Sequence, residues 1–190
     1  MNVMVVDMIE GFARQGALSS PRVAALIPKQ VHFLEQVPSD TLVVFLADVH
    51  EDSDHELEKL PKHCMAGTKE SEVCPELLKV CKDRELDYII IPKQTWSGFF
   101  DPPLKDGLDD LSSDKDWVVM GCVTDICVSA NVFELLYRGK DVTVLRDCVD
   151  TYDMPGHDAE LINKTFFDNV FPSLGARVVD SDDYYPDNHA

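Results

Sequence analysis

The chain of 190 residues contains no CxxC pair, no internal repeat, no low-complexity tract and no interdomain linker. No stretch reaches the roughly 18 consecutive apolar residues of a membrane span. The opening MNVMVVDMIEGF lacks the basic stretch and apolar run of a secretory signal. Cations are also scarce: 17 Lys and Arg stand against 35 Asp and Glu, a formal net charge of -18. Such a field repels phosphate backbones and anionic membranes. These absences lead us to expect a soluble, cytoplasmic protein with neither a nucleic-acid nor a membrane partner. Cys64, Cys74, Cys81, Cys122, Cys127 and Cys148 lie in a chain long enough to fold without staples, so most are expected to be buried, reduced thiols. With 45% hydrophobic residues the chain can bury a sizeable core. Its length suggests one domain over residues 1–190, with 181–190 as a frayed acidic tail.

Short, mostly β-branched apolar runs occur at Val3 to Val6, Leu42 to Leu46, Tyr88 to Ile91, Trp117 to Met120, Val142 to Leu145 and Arg177 to Val179. They read as strands buried on both faces of a parallel sheet. Between them, Pro21 to Gln36, Pro75 to Arg84, Asp125 to Arg138 and His157 to Asn169 carry apolar residues at helical spacing. This alternation predicts a doubly wound α/β sheet. The longest stretch without periodicity, Asp48 to Glu70, holds His50, His55 and His63 among many carboxylates. A loop of that length inside a compact domain is often functional.

In an open parallel sheet, ligands bind outside the carboxyl ends of the strands. Asp7, Asp48 and Lys93 each follow a strand run, and Cys127 stands just past the turn after the fourth. Taken singly, each has a plain structural reading: a turn-capping aspartate, a lysine reaching solvent, a small core thiol. Taken together, they can form one site. The helix start around Cys127 favours a thiolate and offers N–H groups to an oxyanion, and an ammonium nearby adds to this. Asp7 would accept the thiol proton and return it to the leaving amine, with Lys93 holding both negative groups in register.

The blocks VVDMIEGF, IPKQTWSGF and GCVTDICVSA resemble, in order and spacing, the Asp, Lys and Cys blocks of the isochorismatase-like cysteine hydrolases. The resemblance implies a three-layer sandwich around a mainly parallel six-stranded sheet. It makes Cys127 the nucleophile, Asp7 the general acid/base and Lys93 the electrostatic partner. It also implies a non-proline cis peptide at Val123-Thr124, with the backbone N–H groups of Thr124 and Cys127 as the oxyanion hole. Within the family the nicotinamidases are most similar, through Asp48-x-His50 and the LPKHCMAGT segment around His63. Asp48, His50 and His63 become metal ligands by that match. As a fourth ligand Glu56 fits the spacing better than His55.

A divalent ion, zinc foremost with iron or manganese as alternatives, suits such a set. The resemblance further implies an aromatic slot from Phe12, Trp96 and Phe99, a small-molecule amide substrate and self-association into homo-oligomers. The reaction it points to is hydrolysis of nicotinamide through a thioester. Two alternatives are a metal-independent carbamoyl- or ureido-type amidohydrolase and a non-catalytic binding module on the same fold.

Overall fold

A computed structural model describes residues 1–100 and 116–185. Its centre is a six-stranded sheet in the order β3-β2-β1-β4-β5-β6, every pairing parallel. The strands are β1 (Asn2–Val6), β2 (Leu42–Asp48), β3 (Asp87–Lys93), β4 (Asp116–Cys122), β5 (Asp141–Asp150) and β6 (Arg177–Val179). All five residues of β1 are buried, because helices cover both faces of a parallel sheet and leave no polar side. Among the described residues no helix is long and apolar enough to cross a membrane.

Among the described residues, the helices α1 (Glu10–Ala13), α2 (Pro21–Gln36), α3 (Pro75–Asp83) and α4 (Ser129–Tyr137) flank the sheet, and α5 (Ala159–Thr165) follows β5. The start of α2 is fixed by Ser20, whose hydroxyl accepts the Arg22 N–H, and by Pro21 in the first turn. Val23, Leu26, Ile27, Phe33 and Leu34 then form its buried stripe. The helix expected from Asp125 begins instead as a π-helical turn, Thr124–Val128, that runs into α4. The one expected from His157 starts later, at Ala159, capped by the Asp158 carboxylate, which accepts the Leu161 N–H. It gives way to a second π-helical turn at Phe166–Val170.

The acidic tail expected to fray from residue 181 is docked as far as Tyr185. Ser181 is buried and donates to Asp147, while Tyr184 and Tyr185 pack on the Phe33 ring. Residues 186–190 lie outside the described residues.

Strand order reverses between β1 and β4, which opens the crevice where ligands of such sheets bind. The crevice is closed at its base by one tight contact. Gly121, at φ 131°, would place a Cβ only 2.1 Å from the Val6 carbonyl oxygen. Both the backbone conformation and the close approach therefore require glycine. We expect Gly121→Ala to cost about 3 kcal/mol or more, read as a lowered urea midpoint at unchanged m-value. A midpoint equal to wild type would show that β1 and β4 can separate at no cost.

Candidate active site

Three strands deliver the polar groups. Asp7, immediately after β1, takes a left-handed conformation, φ 52°, uncommon outside glycine and enriched at functional turns. Its N–H donates to the Leu46 carbonyl at 2.9 Å, and its carboxylate accepts the Asp48 N–H at 3.1 Å. Asp48 and Lys93 end β2 and β3 as register partners. The Lys93 ammonium lies 2.8 Å from Asp7 Oδ2, hydrogen-bonds Asp48 Oδ1, and stands 3.9 Å from Cys127 Sγ. Lys93 is 1% exposed and Asp7 0%, so these charges face each other in a medium that screens them little.

Burial decides how the protons are distributed. Full burial raises Asp7 to about 7, against the pull of Lys93. Asp48 is buried too, but Lys93, His50 and His63 together hold it well below the usual carboxylate range. The buried lysine is held well above its ordinary value, because Asp48 and Asp7 outweigh the cost of burial. Cys127 departs from the expected ready thiolate. Burial first, and then the Asp7 and Asp48 charges, push its thiol well up against the help of Lys93. The resting thiol keeps its proton, so a base must take it, and Asp7 is the raised carboxylate beside it.

Cys127 sits within the π-helical turn that leads from β4 into α4. The Val123 carbonyl accepts the N–H groups of Ile126 and Val128, on either side of Cys127. The non-proline cis peptide is Cys122-Val123, one residue earlier than expected at Val123-Thr124. β4 extends through Cys122, still in register with Asp150, so the cis bond directly follows the strand. Thr124 is fully buried and its hydroxyl donates to Asn163, which in turn donates to Asp150.

The long loop after β2 does not wander. His50 and Met65 form a parallel bridge, with His50 N–H to Cys64 O at 3.0 Å and Ala66 N–H to His50 O at 2.9 Å. That fold-back places the His50 and His63 rings 4.7 Å apart. Asp48, His50, Glu56 and His63 each offer a ligand atom, all within 4.8 Å of one another. The Nε2 atoms of both histidines are buried without a hydrogen-bond partner among the described residues. Buried polar atoms left unpaired are costly, and two convergent imidazole lone pairs facing two carboxylates are the donor set of a divalent cation. The residues therefore fit a metal. Asp48 serves both groups, with Oδ1 on Lys93 and Oδ2 at 3.4 Å from His50 Nε2. His55, one residue before Glu56, points to solvent and pairs with Glu58.

Both clusters open into one pocket of about 490 Å³ walled by Phe12, Leu18, Leu60, Trp96, Ile126 and Tyr152. Phe12 lies 5.8 Å from the His63 ring. Trp96 is half exposed at the mouth. Phe99 does not line the pocket. Asn131 holds the loop down, accepting the Gly98 N–H and donating to the Trp96 carbonyl, and Phe99 turns into the core beneath the Arg138 guanidinium. No arginine or lysine lines the pocket among the described residues.

A second set of polar residues, with no sequence motif of its own, lies beside the pocket at Asp125, Thr151 and His157. Thr151 and His157 grip the two oxygens of Asp125 at 2.8 and 3.0 Å, and the His157 ring stacks on Tyr152 with centroids 4.0 Å apart. Nothing in the local pattern marks His157, since its partner lies 32 residues away.

A doubly wound parallel sheet with a thiol, a carboxylate and an ammonium buried at its switch point defines a class of α/β proteins with a thiol-centred site. Residues 2–183 match the isochorismatase domain, and the chain belongs to that family of hydrolases. Among solved structures it is similar to N-carbamoylsarcosine amidase from Thermoplasma acidophilum, at 26% identity and a TM-score of 0.76, over 95% of this chain and 96% of that one. It is also similar in fold to a pyrazinamidase of Pyrococcus horikoshii in complex with zinc, at 24% identity and TM-score 0.75, over 94% and 98% of the two chains. The pyrazinamidase/nicotinamidase of Streptococcus mutans gives 19% and 0.77, over 93% and 98%. A curated relative, the secreted isochorismatase effector Isc1 of Verticillium dahliae, is 31% identical over 116 residues. That match spans 61% of this chain and 58% of the relative's length.

Proposed function

We propose that the protein is a cysteine-dependent amidase that hydrolyses nicotinamide to nicotinate and ammonia. The observation that carries this reading is Asp48, one buried carboxylate shared between the Asp7–Lys93–Cys127 group and the Asp48–His50–Glu56–His63 group, both at the floor of one aromatic-walled pocket. A divalent ion held by those four residues would bind the pyridine nitrogen and so orient the ring.

The chain's own groups account for the acyl chemistry. Asp7 takes the Cys127 proton as sulfur attacks the carboxamide carbon, and Lys93 offsets the charge on sulfur. The N–H groups of Thr124 and Cys127 receive the oxyanion. Asp7 passes the proton to the departing nitrogen, the C–N bond breaks, and ammonia leaves a thioester on Cys127. Asp7 then deprotonates a water that attacks the thioester carbon. The C–S bond breaks, and the thiol recovers its proton as nicotinate leaves.

The pocket lining favours this over a carbamoyl-type substrate. N-carbamoylsarcosine carries a carboxylate and would call for a cation, whereas the charged residues on the described wall are Asp48, Glu56 and Asp153. The neutral pyridine carboxamide needs apolar walls and meets Phe12, Trp96 and Tyr152. Ammonia release from nicotinamide, measured with metal-replete and chelator-treated protein, tests the reading. We expect release with metal and its loss, restored by added zinc, after chelation. No release from metal-replete protein would remove nicotinamide as substrate, and release indifferent to chelation would favour the metal-independent amidohydrolase.

A further inference from the structure

An aspartate that begins a helical turn ordinarily spends its carboxylate on that turn's free N–H groups. Asp54 does not. It precedes the 3₁₀ turn His55–Glu58, and its backbone carbonyl accepts the Leu57 N–H at 3.1 Å, yet its side chain makes no capping bond. The Oδ2 atom is aimed the other way, 3.0 Å from His50 Nδ1 and 2.9 Å from the Glu51 N–H. The Asp54 N–H returns to the Glu51 carbonyl at 3.0 Å, closing residues 51–54 into a turn. Asp54 is nearly buried, with a side chain 10% exposed, so the bond to His50 is sheltered from water.

A carboxylate only accepts hydrogen bonds, so the proton of a neutral His50 ring must sit on Nδ1. Its lone pair is then on Nε2, the atom that faces Asp48 Oδ2 with no hydrogen-bond partner. His63 reaches the same state differently, with Nδ1 2.8 Å from the Pro61 carbonyl, an acceptor that no side-chain substitution removes. Of these two rings, His50 is therefore the one held by a replaceable group. The same aspartate starts the turn that presents Glu56, two residues on.

Resting on the metal reading above, we propose that Asp54 is a positioning residue of the metal centre. It holds His50 in the Nδ1–H tautomer with Nε2 turned to the ion, and ties that ring to the turn bearing Glu56. Partners of this kind orient a ligand ring and raise its basicity, and losing one weakens metal binding about 10- to 100-fold.

The test uses the full chain, stripped with a chelator and titrated with zinc against a chromophoric indicator. Wild type is expected to take up one zinc per chain, Asp54→Ala to bind it about 10- to 100-fold more weakly, and Asp54→Asn, which keeps an acceptor oxygen, to fall between them. Long-range nitrogen–proton spectra of the metal-free proteins supply a second readout. His50 should show the Nδ1–H form in wild type and lose it in Asp54→Ala, while His63 keeps its form in both. A general loosening of the loop would disturb His63 as well. If Asp54→Ala does not fold, Asp54→Asn against wild type carries the zinc comparison, since its amide oxygen can still hold the Nδ1–H form. Zinc affinity unchanged by the substitution, or a His50 tautomer that survives Asp54→Ala, overturns the inference and leaves the metal centre standing. Failure of wild type to bind zinc removes the metal reading and Asp54's role together.

Discussion

Replacing Cys127 by alanine is expected to lower amide turnover by about 10,000-fold or more, with the fold unchanged. The size follows from the role, since without sulfur there is no atom to form the acyl-enzyme, and the pocket retains only binding and the oxyanion N–H groups. The fold should survive because the substitution removes one sulfur atom from a residue whose place is set by the π-helical turn Thr124–Val128. Cys64, Cys74, Cys81 and Cys148 do not line the pocket, and the Cys122 thiol donates to the Asp7 backbone carbonyl at 3.2 Å, so none of the five other cysteines is placed to stand in as nucleophile. Ammonia release and the thermal midpoint, measured on the same preparation, check both halves. Activity near wild type would end the acyl-transfer reading.

The second large effect is on stability. Lys93 balances two carboxylates exposed by no more than 2%, so Lys93→Met leaves two buried charges repelling each other. Breaking a buried pair from one side costs about 3–5 kcal/mol. The penalty should depend on pH with a definite sign. Burial already raises Asp7 from 3.8 to about 7 with the lysine present, and the variant loses the charge that opposes this rise. A carboxyl whose folded pKa is raised contributes stability while protonated and loses it as pH climbs through the folded value. The variant's deficit should therefore be largest at about pH 8 and shrink toward about pH 5 as Asp7 takes up a proton. Urea unfolding of both proteins across that range reads the effect. A deficit that stays constant or grows on acidification would mean Lys93 is not the partner that balances Asp7.

The strands were legible because burial on both faces leaves an unbroken β-branched run, as in Val3 to Val6. Their ends were not, since Asp48, Lys93, Cys122 and Asp150 stay in the ladder after hydropathy has fallen, at the sheet edge where the site forms. Aromatic type alone could not separate Phe12, which walls the pocket, from Phe99, which fills the core, because Asn131 makes that choice from another helix. Spacing alone set Glu56 above His55; in the structure a 3₁₀ turn sends these neighbouring side chains to different sides. Asp54 and His157 carried no signal, since each acts through a partner that only the folded loops bring close.

A covalent thioester on Cys127 should be caught by rapid-quench intact mass analysis during nicotinamide turnover. We expect a transient species heavier by one nicotinoyl group, localised by peptide mapping to the segment containing Cys127 and absent from Cys127→Ala. Turnover of nicotinamide with no adduct at any quench time, and undiminished in Cys127→Ala, would contradict it.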